Sequence, residues 1–210
     1  MLKWMKSLLS FRNAATKDYI IVGLGNPGRA YEKTRHNVGF RAVRHFAKKH
    51  SITLKPVQKL SAEVGTGQVG TSIVRVVLPL TYMNSSGEAV KLAMKAFKVP
   101  ADRIAVVVDD IAFPVGDMRL KKEGSHGGHN GLKSIQEHLG ACDFPRLRIG
   151  VGHPSVGGGK SALADYVLSS FDQEDEKKLP EVFSHVADVL DSWILQGIQA
   201  AMTLANTKKS

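Results

Sequence analysis

The run Tyr19-Ile20-Ile21-Val22-Gly23-Leu24 stops abruptly at Gly25-Asn26-Pro27-Gly28. A short, continuous apolar stretch closed by Gly and Pro reads as a buried strand running straight into a turn. A buried strand needs covering layers, and the rest of the chain supplies them. From Asn37, the residues Val38, Ala42, Val43, Phe46 and Ala47 recur on one helical face. Residues 72–78 form a second strand ended by Pro79, and Ser85 precedes Glu88 at capping-box spacing ahead of Ala89, Leu92, Ala93, Ala96 and Phe97. Pro100 closes that helix. Ile104 to Val108 reads as another strand, with Asp109 and Asp110 at its C-terminal end, and Met118 to Lys121 as a weaker one.

Beyond the glycine-rich stretch 124–131, Leu132, Ile135 and Leu139 mark a helix with Gly140 just past its end. Residues 146–152 alternate like a strand, and a long amphipathic helix runs from about Asp172 through Trp193 and Ile194. Strands interleaved with helices predict an α/β fold: a single three-layer domain with helices against a sheet. The expected boundaries are a basic extension at 1–17, one domain at 18–204 and a tail at 205–210. Lys6 and Arg12 break the short apolar pieces of the extension, which excludes a secretory signal; its acid-free, Ser-containing start has the composition of an organelle transit segment or of a plain basic tail.

Composition narrows the functional classes. With 43% apolar and 23% charged residues among 210, the chain can build a core, and no apolar run approaches the roughly 18–20 residues of a membrane span. Cys142 stands alone, so a disulfide framework is excluded and a reducing compartment is expected. The formal charge of +10, from 29 Lys and Arg against 19 Asp and Glu, points to a polyanionic partner, either nucleic acid or an anionic membrane surface.

Several residues are candidates for chemistry. Gly23-Leu24-Gly25-Asn26-Pro27-Gly28 fits a dinucleotide fingerprint, but no helix opens directly after it and no acid lies about 20 residues on to hold a ribose. The alternative is a tight turn that displays Asn26 at a strand end. His126 and His129 are spaced as metal ligands can be, yet no Cys/His quartet completes a site. His36, in a loop soon after the glycine turn, suits a general base because an imidazole with a pKa near 6.5 is largely neutral at pH 7. Asp109 is a candidate to fix its tautomer. There is no G-x-S-x-G nucleophile elbow, so activated water is the expected attacker in any hydrolysis. Arg119, Lys121, Lys122, Lys133, Arg146 and Arg148 cluster around the glycines of 124–131, a combination suited to phosphate, with Lys121 and Arg148 placed to clamp one phosphate from two strands.

Six segments then fall in one order: 21–28 (IVGLGNPG), 34–39 (TRHNVG), 79–87 (PLTYMNSSG), 108–116 (VDDIAFPVG), 124–132 (GSHGGHNGL) and 146–154 (RLRIGVGHP). Together they resemble the bacterial-type peptidyl-tRNA hydrolase family over nearly the whole chain. The resemblance implies a twisted mixed β-sheet flanked by helices, working as a cytoplasmic monomer without cofactor or metal. It also implies an esterase that cleaves peptide from the 3′-terminal ribose of tRNA. By the same resemblance His36 is the base that activates water, Asp109 orients it, and Asn26, Asn84 and Asn130 position substrate, water or the developing oxyanion. Met83 with Tyr82 matches a wall of the peptide-end cleft, Tyr31 matches a residue near the active site, and Lys121 and Arg148 match the clamp for the acceptor end and 5′ phosphate. Ala112 departs from the family, standing where many members carry an acid. Gly157-Gly158-Gly159 makes the segment after 154 a candidate lid. The runner-up reading is a catalytically silent RNA-binding relative of the same fold, and residence in an organelle is the alternative if 1–17 acts as a transit segment.

Overall fold

The structure, a computed structural model, describes residues 17–140, 143–154 and 160–207. Cys142, residues 1–16 of the basic extension and the Gly157-Gly158-Gly159 segment lie outside the described residues. Among those described, seven strands form one mixed sheet in the order β2-β3-β4-β1-β5-β7-β6. They are β1 (Asp18–Gly23), β2 (Lys55–Val57), β3 (Ala62–Val69), β4 (Ser72–Pro79), β5 (Ile104–Asp110), β6 (Met118–Lys121) and β7 (Arg146–Gly150). The central strands β4, β1, β5 and β7 are parallel, while β2, β3 and β6 add antiparallel edges. Parallel strands need helical crossovers and cover on both faces, which explains why β1 and β5 are almost wholly apolar.

The helices are α1 (Val38–Lys49), α2 (Ser86–Phe97), α3 (Asn130–Leu139), α4 (Lys160–Val167), α5 (Gln173–Gln196) and α6 (Ile198–Asn206). One face of the sheet carries a core built with Val43 and Phe46 of α1, Phe183, Leu190 and Trp193 of α5, and Ala201 of α6. The other carries Ala89, Val90 and Ala93 of α2 with Leu132 and Ile135 of α3. The three-layer α/β architecture expected from the alternation of patterns is therefore the observed one.

Four local features go beyond or depart from the sequence expectations. Strand β2 is only three residues long, and in β3 Gly65 and Gly67 interrupt the apolar pattern; Ile52 lies across β3, and a Cβ at either glycine would come within 2.6 Å of its side chain. The expected C-terminal helix is α5, and a further helix, α6, follows it after Gly197, whose φ of +93° suits a glycine. Ser85 occupies the N-cap position of α2 but its hydroxyl makes no capping bond. Instead Ser86 donates its hydroxyl to the Met83 carbonyl (2.9 Å), closing the 3-10 turn ahead of the helix. Finally, α6 carries residues 205 and 206 of the expected tail into the fold. The Asn206 amide accepts from the Leu120 N–H (2.9 Å) and donates to the Leu120 carbonyl (3.2 Å), mimicking a neighbouring strand on the open edge of β6.

A close approach sets α1 against the sheet. A Cβ on Gly39 would lie 2.4 Å from the Val107 carbonyl oxygen and 2.7 Å from that of Leu24, both rigid backbone. The same contact lets the Phe40 N–H reach the Leu24 carbonyl (3.0 Å). Gly39→Ala is expected to destabilise the fold by about 1–3 kcal/mol, the usual cost of forcing an extra methyl into a packed interior, as measured by urea or thermal unfolding.

Candidate active site

Because β4, β1, β5 and β7 are parallel, their carboxyl ends share one edge of the sheet, the place where open α/β sheets bind ligands. That edge receives Asn26 after β1, Met83 and Asn84 after β4, and Asp109 on β5 itself. His36 arrives in a short 3-10 turn, Arg35–Asn37, wedged directly before α1 and buried along its whole length.

Asp109 is 3% exposed. His36 Nδ1 lies 2.9 Å from its Oδ1 and 3.0 Å from its Oδ2. His129 Nε2 lies 2.9 Å from the same Oδ1, and the two imidazole rings are 5.0 Å apart. The tautomer of His129 follows from its other nitrogen. Nδ1 accepts from the N–H groups of Gly131 (3.1 Å) and Leu132 (3.3 Å), capping α3, so the ring proton sits on Nε2 and donates to Asp109. An ionised Asp109 accepts the Nδ1 proton of His36 in turn, and this leaves His36 Nε2 with an unshared pair and no hydrogen-bond partner among the described residues.

Burial opposes ionisation of both members of the pair, in opposite directions on the pKa scale. For His36 burial disfavours the cation, but the Asp109 charge and hydrogen bond outweigh it and lift the imidazole above its ordinary value. For Asp109 burial disfavours the anion, yet the facing rings of His36 and His129 hold its carboxyl well below the usual carboxylate range. His36, Asp109 and His129 also bring three ligand atoms close enough for a metal ion. The hydrogen bonds argue against that use. With Nδ1 of His129 already an acceptor, ligation through Nε2 would demand either an imidazolate or the loss of the α3 cap.

Asn26 and Met83 connect to the His36 turn through backbone groups. Asn37, which sequence reasoning did not single out, donates its amide to the Asn26 carbonyl (2.9 Å) and accepts from the Asn26 N–H (2.9 Å). Asn26 in turn accepts from the Met83 N–H through Oδ1 (2.8 Å), and its side-chain NH₂ has no hydrogen-bond partner among the described residues. Met83 is buried and its sulfur packs where a Cβ on Gly131 would be, so small size at 131 makes room for it. Tyr82, 60% exposed, meets Tyr31 edge to face with centroids 6.3 Å apart. Asn84 and Asn130 are exposed, Asn84 in the 3-10 turn before α2 and Asn130 at the start of α3.

The cations divide into two kinds. In the β6/β7 register Arg119 lies opposite Arg148 and Lys121 opposite Arg146, so all four share the sheet face away from Met118 and Leu120. Lys121 is exposed. Arg148 is engaged: its guanidinium donates to Asp110 (3.0 Å) and to the carbonyls of Ser125 (3.1 Å) and His126 (3.2 Å). Arg146 is fully buried, stacked on Phe144 and bonded to the Gly124 carbonyl. The two arginines therefore hold the 124–131 loop, which carries His129 back over β5. Asp110 also accepts from the Ala112 N–H (2.9 Å), which anchors the turn after β5.

Among the described residues no helix is long and apolar enough to cross a membrane. A family model described as peptidyl-tRNA hydrolase matches residues 20–210. The peptidyl-tRNA hydrolase of Chloroflexus aggregans is 44% identical over 189 residues, covering 90% of this chain and 98% of its own. A chloroplastic peptidyl-tRNA hydrolase of Arabidopsis thaliana is 40% identical over 193 residues, covering 91% of this chain and 66% of its own. Among solved structures, the peptidyl-tRNA hydrolase of Acinetobacter baumannii superposes with a TM-score of 0.85 at 37% identity, covering 91% of this chain and 95% of that one. Sequence and fold agree, and the chain belongs to the peptidyl-tRNA hydrolase family.

Proposed function

We propose that the chain hydrolyses the ester between a peptide, or an N-blocked aminoacyl group, and the 3′-terminal ribose of tRNA, freeing tRNA from stalled peptidyl-tRNA. The observation that carries this reading is the buried His36–Asp109 pair, with His36 Nε2 left unpartnered at the carboxyl edge of the sheet. His36 Nε2 takes a proton from water as the water oxygen attacks the ester carbonyl. Collapse of the tetrahedral intermediate breaks the bond to the ribose oxygen, which leaves with that proton as a hydroxyl. Asp109 keeps the proton on Nδ1 and stabilises the imidazolium between the two transfers. A positioned base of this kind contributes about 10²–10⁴-fold. His129, neutral and donating, holds the carboxylate in place.

The free NH₂ of Asn26 is suited to a developing oxyanion, because an amide donates without titrating; Asn84 and Asn130, exposed beside the cleft, position substrate and water. Met83, Tyr82 and Tyr31 form the wall for the peptide end. Lys121 contacts phosphate of the acceptor end directly. Arg148 reaches phosphate only by sharing donors with Asp110 and the loop carbonyls, so its role is divided between binding and bracing. The reading takes the protein as a monomer acting in the cytoplasm, with an organelle as the alternative.

The direct test is release of an N-blocked aminoacyl group from tRNA. The parent is expected to turn over repeatedly and His36→Asn to lose turnover while still binding tRNA. Tight binding with no turnover in either would reduce the protein to an RNA-binding relative. The pH profile checks the pair. Only neutral His36 can accept a proton, so kcat/KM is expected to fall as pH drops through a value above 6.5. Asp109→Asn removes the charge that raises that value, so the acid limb should move to lower pH while the maximum drops about 10²–10⁴-fold. For the clamp, Lys121→Ala should raise KM and flatten the log–log salt dependence by about 0.7 for the lost single-strand contact, with kcat intact. Arg148→Ala should lower kcat as well, because the loop bearing His129 loses its brace.

A further inference from the structure

Arg35, next in sequence to His36, is 8% exposed and points away from the Asp109 pair toward the chain leaving α4. Its Nη1 donates to the Ser169 hydroxyl (2.8 Å) and to the Ser170 carbonyl. The guanidinium carbon lies 4.4 Å from the centre of the Tyr166 ring and 5.2 Å from that of Phe171. The backbone repeats the attachment, with the Arg35 N–H on the Ser169 carbonyl (3.0 Å) and a bridge between Thr34 and Ser170. Tyr166 is itself fixed, its hydroxyl donating to the Val151 carbonyl (3.0 Å) just past β7.

Among the described residues Arg35 thus faces a hydroxyl, a carbonyl and two rings rather than a carboxylate, and its Nε is buried with no partner. Burying a cation in this way is expensive, and an apolar side chain of the same length would often serve stability as well or better. What an apolar chain cannot do is fix a planar group simultaneously against two rings and two oxygens. The turn that carries His36 is pinned on one side by Asn37 to the β1 loop and on another by Asp109 on β5. Arg35 supplies the third side.

We propose that Arg35 is a positioning residue for the general base: it ties the His36 turn to the 166–171 segment and so sets the orientation of the imidazole toward Asp109. The proposal rests on the hydrolase reading only for its kinetic arm. When the third tether is cut, the turn keeps its place but the ring loses its fixed angle, and misplacement by about 1 Å can cost up to about 10²-fold in rate.

The test compares Arg35→Met and Arg35→Lys with the parent. Kinetics on N-blocked aminoacyl-tRNA are paired with proton NMR of the low-field His36 Nδ1–H signal, assigned by its loss in His36→Asn. Arg35→Met is expected to lower kcat tenfold to a hundredfold with KM nearly unchanged, to move the acid limb of kcat/KM toward lower pH, and to broaden or shift the Nδ1–H signal. Arg35→Lys keeps a cation over the rings and should recover part of each effect; it decides the matter if Arg35→Met does not fold. A lower melting temperature with kcat, acid limb and Nδ1–H signal all unchanged would overturn the proposal, leaving Arg35 a packing residue. A shifted signal in a protein whose parent shows no hydrolysis would instead refute the hydrolase reading and uphold the positioning.

Discussion

A carboxylate delivered into the interior by a central strand cannot be left alone, and much of this molecule is arranged around that fact. Asp109 sits at the end of β5 with almost no access to solvent, where an unpaired anion would cost several kcal/mol. Two imidazole N–H donors resolve the problem. Each donor comes from the start of a helix on a different face of the sheet: His36 from the turn before α1, His129 from the cap of α3. Satisfying one charge therefore fixes where both covering layers begin. Gly39 and Gly131 serve the same end, since each removes a side chain that would hold a helix start away from the centre.

Much of this was legible in the residues alone, and what was not has physical reasons. The apolar runs of β1 and β5 announce buried parallel strands, and their polar ends, Asn26 and Asp109, mark the edge that matters. His36 stands out because it lies in a loop and not in a helical pattern. His129 was legible only as half of a histidine pair with His126; that its partner is Asp109 depends on the 124–131 loop folding back across β5, a long-range event with no local pattern. One signal was available, a polar residue immediately before the Leu132 helix, the place of an N-cap. Asn37 was hidden for a different reason: as the first residue of a helical pattern it looked like a start signal, when its side chain works on the backbone of Asn26.

The cationic cluster shows how composition can mislead in detail while guiding in general. A basic chain with glycines among its cations reads as a phosphate surface, and Lys121 remains exposed to serve as one. Arg146 and Arg148 instead spend most of their donors on loop carbonyls. Backbone oxygens in a glycine-rich loop have few neighbours to satisfy them, and an arginine fork is well shaped for several at once. A guanidinium stacked on a ring and bonded to a backbone carbonyl, as at Arg146, recurs at Arg35.

The amide of Asn206 closing the edge of β6 has a consequence for how the sheet is completed. A strand edge with free N–H and C=O groups is a template for any extended chain that meets it. Here the covering group lies on α6, more than eighty positions after the strand it protects. During synthesis the rest of the sheet can assemble while β6 is still uncovered, and only the emergence of α6 removes it from competition. Protection from strand-to-strand association between newly made copies thus waits on a side chain synthesised long after the strand it covers.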